Sequence, residues 1–145
     1  MTSGYKWLLQ SDRAIDFGVS GGFAGEYWNN IQVVNESLAR ALTYISRYAN
    51  IKFVNYGYNN VDTPLDAFNV GVDINLSVDG SWAFFNSFNT WGMSFFPDPN
   101  KNLAQAGDLF INQNSQANYL PSYSEGSAGW FLLLRELGHA LGLKH

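Results

Sequence analysis

Arg135-Glu136-Leu137-Gly138-His139-Ala140-Leu141-Gly142-Leu143-Lys144-His145 sets one carboxylate and two imidazoles around a pair of glycines. On an α-helix, residues four apart share a face about 6 Å apart along the axis, so positions 135 and 139 aim at one point. Glu136 lies one residue on. Gly142 then marks a stop, because glycine takes the left-handed backbone that closes a helix. A helix that ran on would carry position 145 about 9 Å past position 139. A turn at Gly142 instead swings His145 back toward the same point. Just upstream, Trp130 to Leu134 is apolar all round and predicts a buried helical segment. Ser127 or a near neighbour starts that helix.

Side chains gathered this way suit a metal ion. Zinc takes imidazole nitrogens at about 2.0–2.1 Å and, where it is catalytic, keeps one position open for water. A carboxylate beside that water can take its proton as general base. The stretch fits the zinc-peptidase pattern H-E-x-x-H-x-x-G-x-x-H at every specified position except the first, which is Arg135. A guanidinium offers no lone pair while protonated, and its pKa is about 13. Deprotonating it at neutral pH costs about 6 units at about 1.36 kcal/mol each, on the order of 8 kcal/mol. Complete structural zinc sites gain only about 10–16 kcal/mol. The chain has two histidines, at 139 and 145, so no other imidazole can step in. Zinc binding is expected to be weakened or absent.

The pattern resembles the metzincin zinc endopeptidases, and among them the serralysin-like secreted bacterial proteases, which usually read HEIGHALGLSH. Softer matches run along the chain in the same order. Ser3-Gly4-Tyr5-Lys6-Trp7 is similar to that family's opening segment. Asn30 to Tyr56 is similar to its first long helix, passing through Ala49-Asn50-Ile51 into a strand. Gly92-Met93-Ser94-Phe95-Phe96-Pro97 resembles an edge strand written GYAYFP in many members, and Gly107-Asp108-Leu109-Phe110-Ile111-Asn112 resembles the strand before the active-site helix. The resemblance implies His139 and His145 as zinc ligands, with Arg135 in the first ligand position, and Glu136 as general base. It also implies Gly92, Met93, Ser94, Phe95 and Phe96 as the strand that receives an extended peptide or protein substrate. Pairing of that kind reads main chain and predicts broad specificity.

The resemblance further implies a secreted, extracellular protein. No signal peptide is visible at the start, which lacks a basic opening and an apolar core. Family members carry a methionine turn beyond the third histidine, followed by glycine-rich calcium repeats. Neither occurs within these residues, so the sequence reads as a single domain, 1–145, truncated after the third ligand position.

Composition agrees without deciding. A length of 145 residues is one domain with room for a core. Charged residues make up 14% and the net charge is −4, which argues against a nucleic-acid surface. No apolar run approaches a membrane span. The absence of cysteine excludes disulfides and thiolate ligands. A monomer is expected.

Periodicity supplies the architecture. Ala14 to Val19 alternates and reads as a strand, followed by a bend at Ser20-Gly21-Gly22. Val34, Leu38, Leu42 and Ile45 form one helical stripe with Ala41 and Ala49 beside it, capped by Asn30. Ile51 to Tyr56 and Asp73 to Val78 read as strands. Residues 81–91 read as loop or irregular strand, and 113–125 as loop. The fold class is α+β: a twisted mixed sheet, zincin-like by resemblance, with one long helix and an active-site helix.

Other signals are weak. Asp98-Pro99-Asn100-Lys101-Asn102 opens like a calcium loop, but Leu103 stands where glycine is required and Leu109 where the closing acid is, so a solvated turn fits better. Asn35-Glu36-Ser37 and Asn75-Leu76-Ser77 are glycosylation sequons inside a helix and a strand, and read as incidental. Arg135 leaves three readings open: a degenerate relative whose guanidinium pairs with Glu136 or an acidic ligand, a substitution in a competent enzyme, or a plain core helix. The leading expectation is a zinc metalloendopeptidase impaired by Arg135. The alternatives are a non-catalytic peptide-binding module and a carbohydrate-binding module, the last requiring exposed Trp28, Trp82 and Trp91.

Overall fold

Asn30 opens the first helix in the way its side chain allows. Its backbone is extended and its Oδ1 accepts from the Val33 amide at 3.2 Å, satisfying one of the helix's orphan donors. The computed structural model describes residues 6–9, 11–12, 14–21, 28, 30–60, 71–79, 90–98, 103–112, 114 and 122–144, with backbone alone at 59, 60 and 79. Its elements are β1 (Ala14–Gly21), α1 (Ile31–Ser46), β2 (Lys52–Asn60), β3 (Ile74–Asp79), β4 (Gly92–Ser94), β5 (Leu109–Asn112) and α2 (Ala128–Ala140).

These strands form one five-stranded sheet in the order β2-β1-β3-β5-β4. The first four run parallel and β4 pairs antiparallel with β5 at the edge. The chain is therefore an α+β domain with a mixed sheet and, among the described residues, two helices. Alternation decides which side chains meet those helices. Ile15, Phe17, Val19, Ile74, Leu76, Val78, Leu109 and Ile111 share one core with Val34, Leu38 and Leu42 of α1 and Leu133 and Leu137 of α2. Both helices therefore lie on the same sheet face.

The other face carries a buried polar strip beside the buried Phe110 ring. Ser20 donates to Asn75 Oδ1 at 2.9 Å, Asn75 donates to Ser77 Oγ at 3.1 Å, and the Asn75 amide donates to Asp108 Oδ1 at 3.2 Å. This accounts for one departure from the sequence pattern. Ser20 and Gly21 continue β1 instead of bending, because they pair with Asn59 and Asn60 and the Ser20 carbonyl accepts from Trp28 Nε1 at 2.7 Å. Gly22 lies outside the described residues.

The last helix departs from expectation in a second way. Trp130, Leu132 and Leu133 are buried, but Phe131 is 63% exposed, so the apolar run is not enclosed all round. A 3.6-residue period puts Phe131 and Arg135 on one outer face. Ser127 does cap this helix, accepting from the Trp130 amide at 3.1 Å. The α1 stripe is buried as expected at Val34, Leu38, Ala41 and Leu42, with Ile45 partly so, while Ala49 falls beyond the helix end.

Both sequons are closed by packing. The Asn35 amide donates to Asn55 Oδ1 and the Gly57 carbonyl, and Asn75 is enclosed in the polar strip. Asp98 Oδ2 accepts from the Leu103 amide at 3.1 Å, which makes a turn; residues 99–102 lie outside the described set, as do 81–89 and most of 113–121. No helix among the described residues is long and apolar enough to cross a membrane.

Candidate functional site

Gly142 ends α2 as its residue type predicts. Its φ is +99°, the Gly142 amide donates to the His139 carbonyl at 2.9 Å, and the Leu143 amide reaches back to the Gly138 carbonyl at 2.8 Å. That paired closure is the Schellman arrangement, which satisfies carbonyls the helix would leave orphaned. The turn also places the Leu143 carbonyl 2.8 Å from His139 Nδ1. A carbonyl only accepts, so Nδ1 carries the proton and a neutral imidazole keeps its lone pair on Nε2. The Phe96 ring stands edge-on to this imidazole, with centroids 5.9 Å apart.

The helix packs across the sheet edge at β4. Glu136 points inward and is buried to 1% exposure, whereas the Arg135 side chain is 50% exposed. Each carboxylate oxygen has a partner. Arg135 Nη1 contacts Oε1, and the Ser94 hydroxyl donates to Oε2 at 2.8 Å. A buried carboxylate needs such partners, since an uncompensated charge in the interior is costly.

Arg135, Glu136 and His139 line one cavity of about 320 Å³ with Gly92, Met93, Ser94 and Phe96. The structure thus brings together the terminal motif and most of the strand expected to hold substrate. Phe95 stands apart: its ring packs edge-on against Phe110 at 6.3 Å, and it lines a separate cavity with Pro97 and Leu103. His145 lies outside the described residues.

As a zinc site, the described donor set fits poorly. Of the residues at the ligand positions, His139 offers a suitable nitrogen, but Arg135 offers no lone pair and carries a positive charge. Glu136, the expected proton acceptor, is already engaged on both oxygens.

Thr90 and the Trp7 anchor could not be read from the sequence, and Ser94 has a contact that the sequence did not give. Ser94 was expected to meet substrate, yet its hydroxyl is turned to Glu136. Thr90 lines the cavity. Trp7 Nε1 donates to the Ala140 carbonyl at 3.0 Å and so fastens the C-terminal end of α2. The opening segment as far as Tyr5 lies outside the described residues. Trp7 also packs on Gly107, where φ is +85° and an added Cβ would lie 2.5 Å from the indole and 2.4 Å from the Asp73 carbonyl.

The buried ionisable group with the largest consequence lies elsewhere. Asp108, next to β5 on the polar face, is pushed up to about 8, because burial outweighs the stabilising Asn75 amide. Burial likewise raises the Tyr123 hydroxyl.

Compared with protein-family models and with curated proteins, the chain matches none.

Proposed function

We propose that this chain is a serralysin-like metzincin domain that keeps a groove for an extended peptide and has lost zinc-dependent hydrolysis through Arg135. The observation that carries the reading is the convergence of Arg135, Glu136 and His139 on one cavity with Gly92, Met93, Ser94 and Phe96. The position of β4, which among the described residues is the antiparallel edge strand, supports it as well, because an edge strand is where a ligand strand can add to a sheet. The same resemblance makes the protein a secreted one.

Contact with Arg135 and Ser94 favours the non-catalytic form over an impaired peptidase. Both Glu136 oxygens are taken up within the fold, by Arg135 and by the Ser94 hydroxyl, so neither is turned to a metal-bound water. In this reading Glu136 anchors Arg135 and ties α2 to β4. Gly92, Met93, Ser94 and Phe96 supply main chain and an apolar wall to the ligand, and His139 fixes the helix end.

Carbohydrate binding has less support. Trp28 is buried and its indole N–H is spent on Ser20, while Trp91 is 41% exposed. Trp82 lies outside the described residues. The plain core-helix reading gains one point, since the partners of Glu136 and His139 come from within the fold. It leaves their shared cavity unexplained.

Hydrolysis of a quenched fluorescent peptide tests the reading. The unaltered chain is expected to be inactive with added zinc. Arg135→His is expected to gain activity that Glu136→Gln removes. Zinc-dependent cleavage by the unaltered chain would refute the loss of hydrolysis.

A further inference from the structure

We propose that the cavity walled by Phe95, Phe96, Pro97 and Leu103 receives one bulky apolar side chain of an extended peptide. This rests on the groove reading above and adds a side-chain preference to a strand that otherwise takes main chain.

Size and lining point to part of a ligand. The cavity measures about 270 Å³, below the range of about 300–1,000 Å³ that holds a whole small molecule. Its wall is mostly apolar, from the four residues above and Ala106. The two polar contributors serve the turn: Asp98 Oδ2 accepts from the Leu103 amide at 3.1 Å, and the Gln105 carbonyl accepts from the Asp108 amide at 3.0 Å. Leu103 is 56% exposed at the rim, so a side chain entering here takes apolar surface out of water.

The walls are held by the fold itself. The Phe95 amide donates to the Asp108 carbonyl at 2.9 Å and the Gly107 amide to the Phe95 carbonyl at 3.2 Å, which carries the β4–β5 pairing past Ser94. The Phe95 ring rests edge-on against Phe110 and the Phe96 ring edge-on against His139. The Ala106 amide closes the facing turn on the Leu103 carbonyl at 3.1 Å. A wall fixed in this way loses little freedom when a ligand arrives. Continuity with the groove names the occupant. Phe96 lines this cavity and also the one shared by Arg135, Glu136 and His139, so a strand added along β4 passes from one to the other across a single ring.

The test uses a dye-labelled, amidated hexapeptide of alternating Ala and Gln, and a set in which each position in turn is Phe, with binding read by fluorescence polarisation. Phe at one position is expected to bind about tenfold tighter than the reference peptide, and Glu at that position to gain nothing. Leu103→Ser, which strips the rim, and Ala106→Met, which fills the cavity, are each expected to remove the gap. Leu103 is exposed, so its change leaves the fold intact and decides the matter should Ala106→Met not fold. Binding of the reference peptide with no gain from Phe, or with equal gain at every position, overturns the inference and leaves the groove reading standing. A gap that survives both substitutions puts the contact elsewhere and overturns the inference too. Failure of every peptide to bind overturns the groove reading along with it.

Discussion

The Ser94 hydroxyl donates 2.8 Å to Glu136 Oε2, joining the edge strand β4 to the interior face of α2. With Arg135 on the other oxygen, this bond keeps a buried carboxylate compensated. Ser94→Ala is therefore expected to destabilise the fold by about 1–3 kcal/mol, the usual result of stranding one buried acceptor. Urea unfolding measures it, and Ser94→Thr should recover part of the loss. No change in either variant would mean that Glu136 has another support.

Arg135→Met removes the cation and leaves Glu136 buried. Breaking a fully buried pair costs about 3–5 kcal/mol, but Arg135 is half exposed and water screens its side, so about 1–3 kcal/mol is expected. Adding Glu136→Gln to this variant should restore stability, since no charge is then left to compensate. A double-mutant cycle by urea unfolding reads the coupling. Additive effects would show that the pair contributes nothing.

Much of this geometry was legible locally. Asn30 and Ser127 cap their helices as their side chains allow, and Gly142 closes α2 at the left-handed φ its position requires. The local pattern marked β1, β2 and β3, whereas the segments of β4 and β5 were expected only from the family resemblance. The partners were not legible, because they come from far along the chain. Ser94 and Glu136 are 42 residues apart, and Trp7 and Ala140 are 133 apart. Phe131 misled for a related reason. An apolar residue on a helix does not state whether anything packs over it, and here Phe131 shares the outer face with Arg135. Ser20 looked like the start of a bend until the sheet supplied Asn75 and Trp28 as its partners.

Asp108 predicts a pH effect with a definite sign. Its folded pKa, about 8, lies above the ordinary 3.8, so folding favours the protonated acid. That contribution is fully present below about pH 4 and is lost as the pH climbs through about 8. Unfolding free energy should fall by a few kcal/mol, as an order of magnitude, between pH 5 and pH 9. Asp108→Asn keeps the shape without the charge and should flatten that slope. An unchanged slope in the variant would assign the effect to other groups.

Gly142→Ala puts a side chain at φ +99° and should cost about 1–2 kcal/mol. Strain there also disturbs the Leu143 carbonyl that holds His139 Nδ1. The ring-proton resonances of His139, followed by NMR, should move along with the loss of thermal stability. A variant with an unmoved histidine would show that the turn does not position the ring.

Calorimetric titration with zinc of the unaltered chain and of Arg135→His tests the central claim most directly, that a fixed cation has taken the place of a metal ligand. The variant is expected to bind zinc and the unaltered chain to bind it weakly or not at all. Micromolar or tighter binding by the unaltered chain would contradict the account.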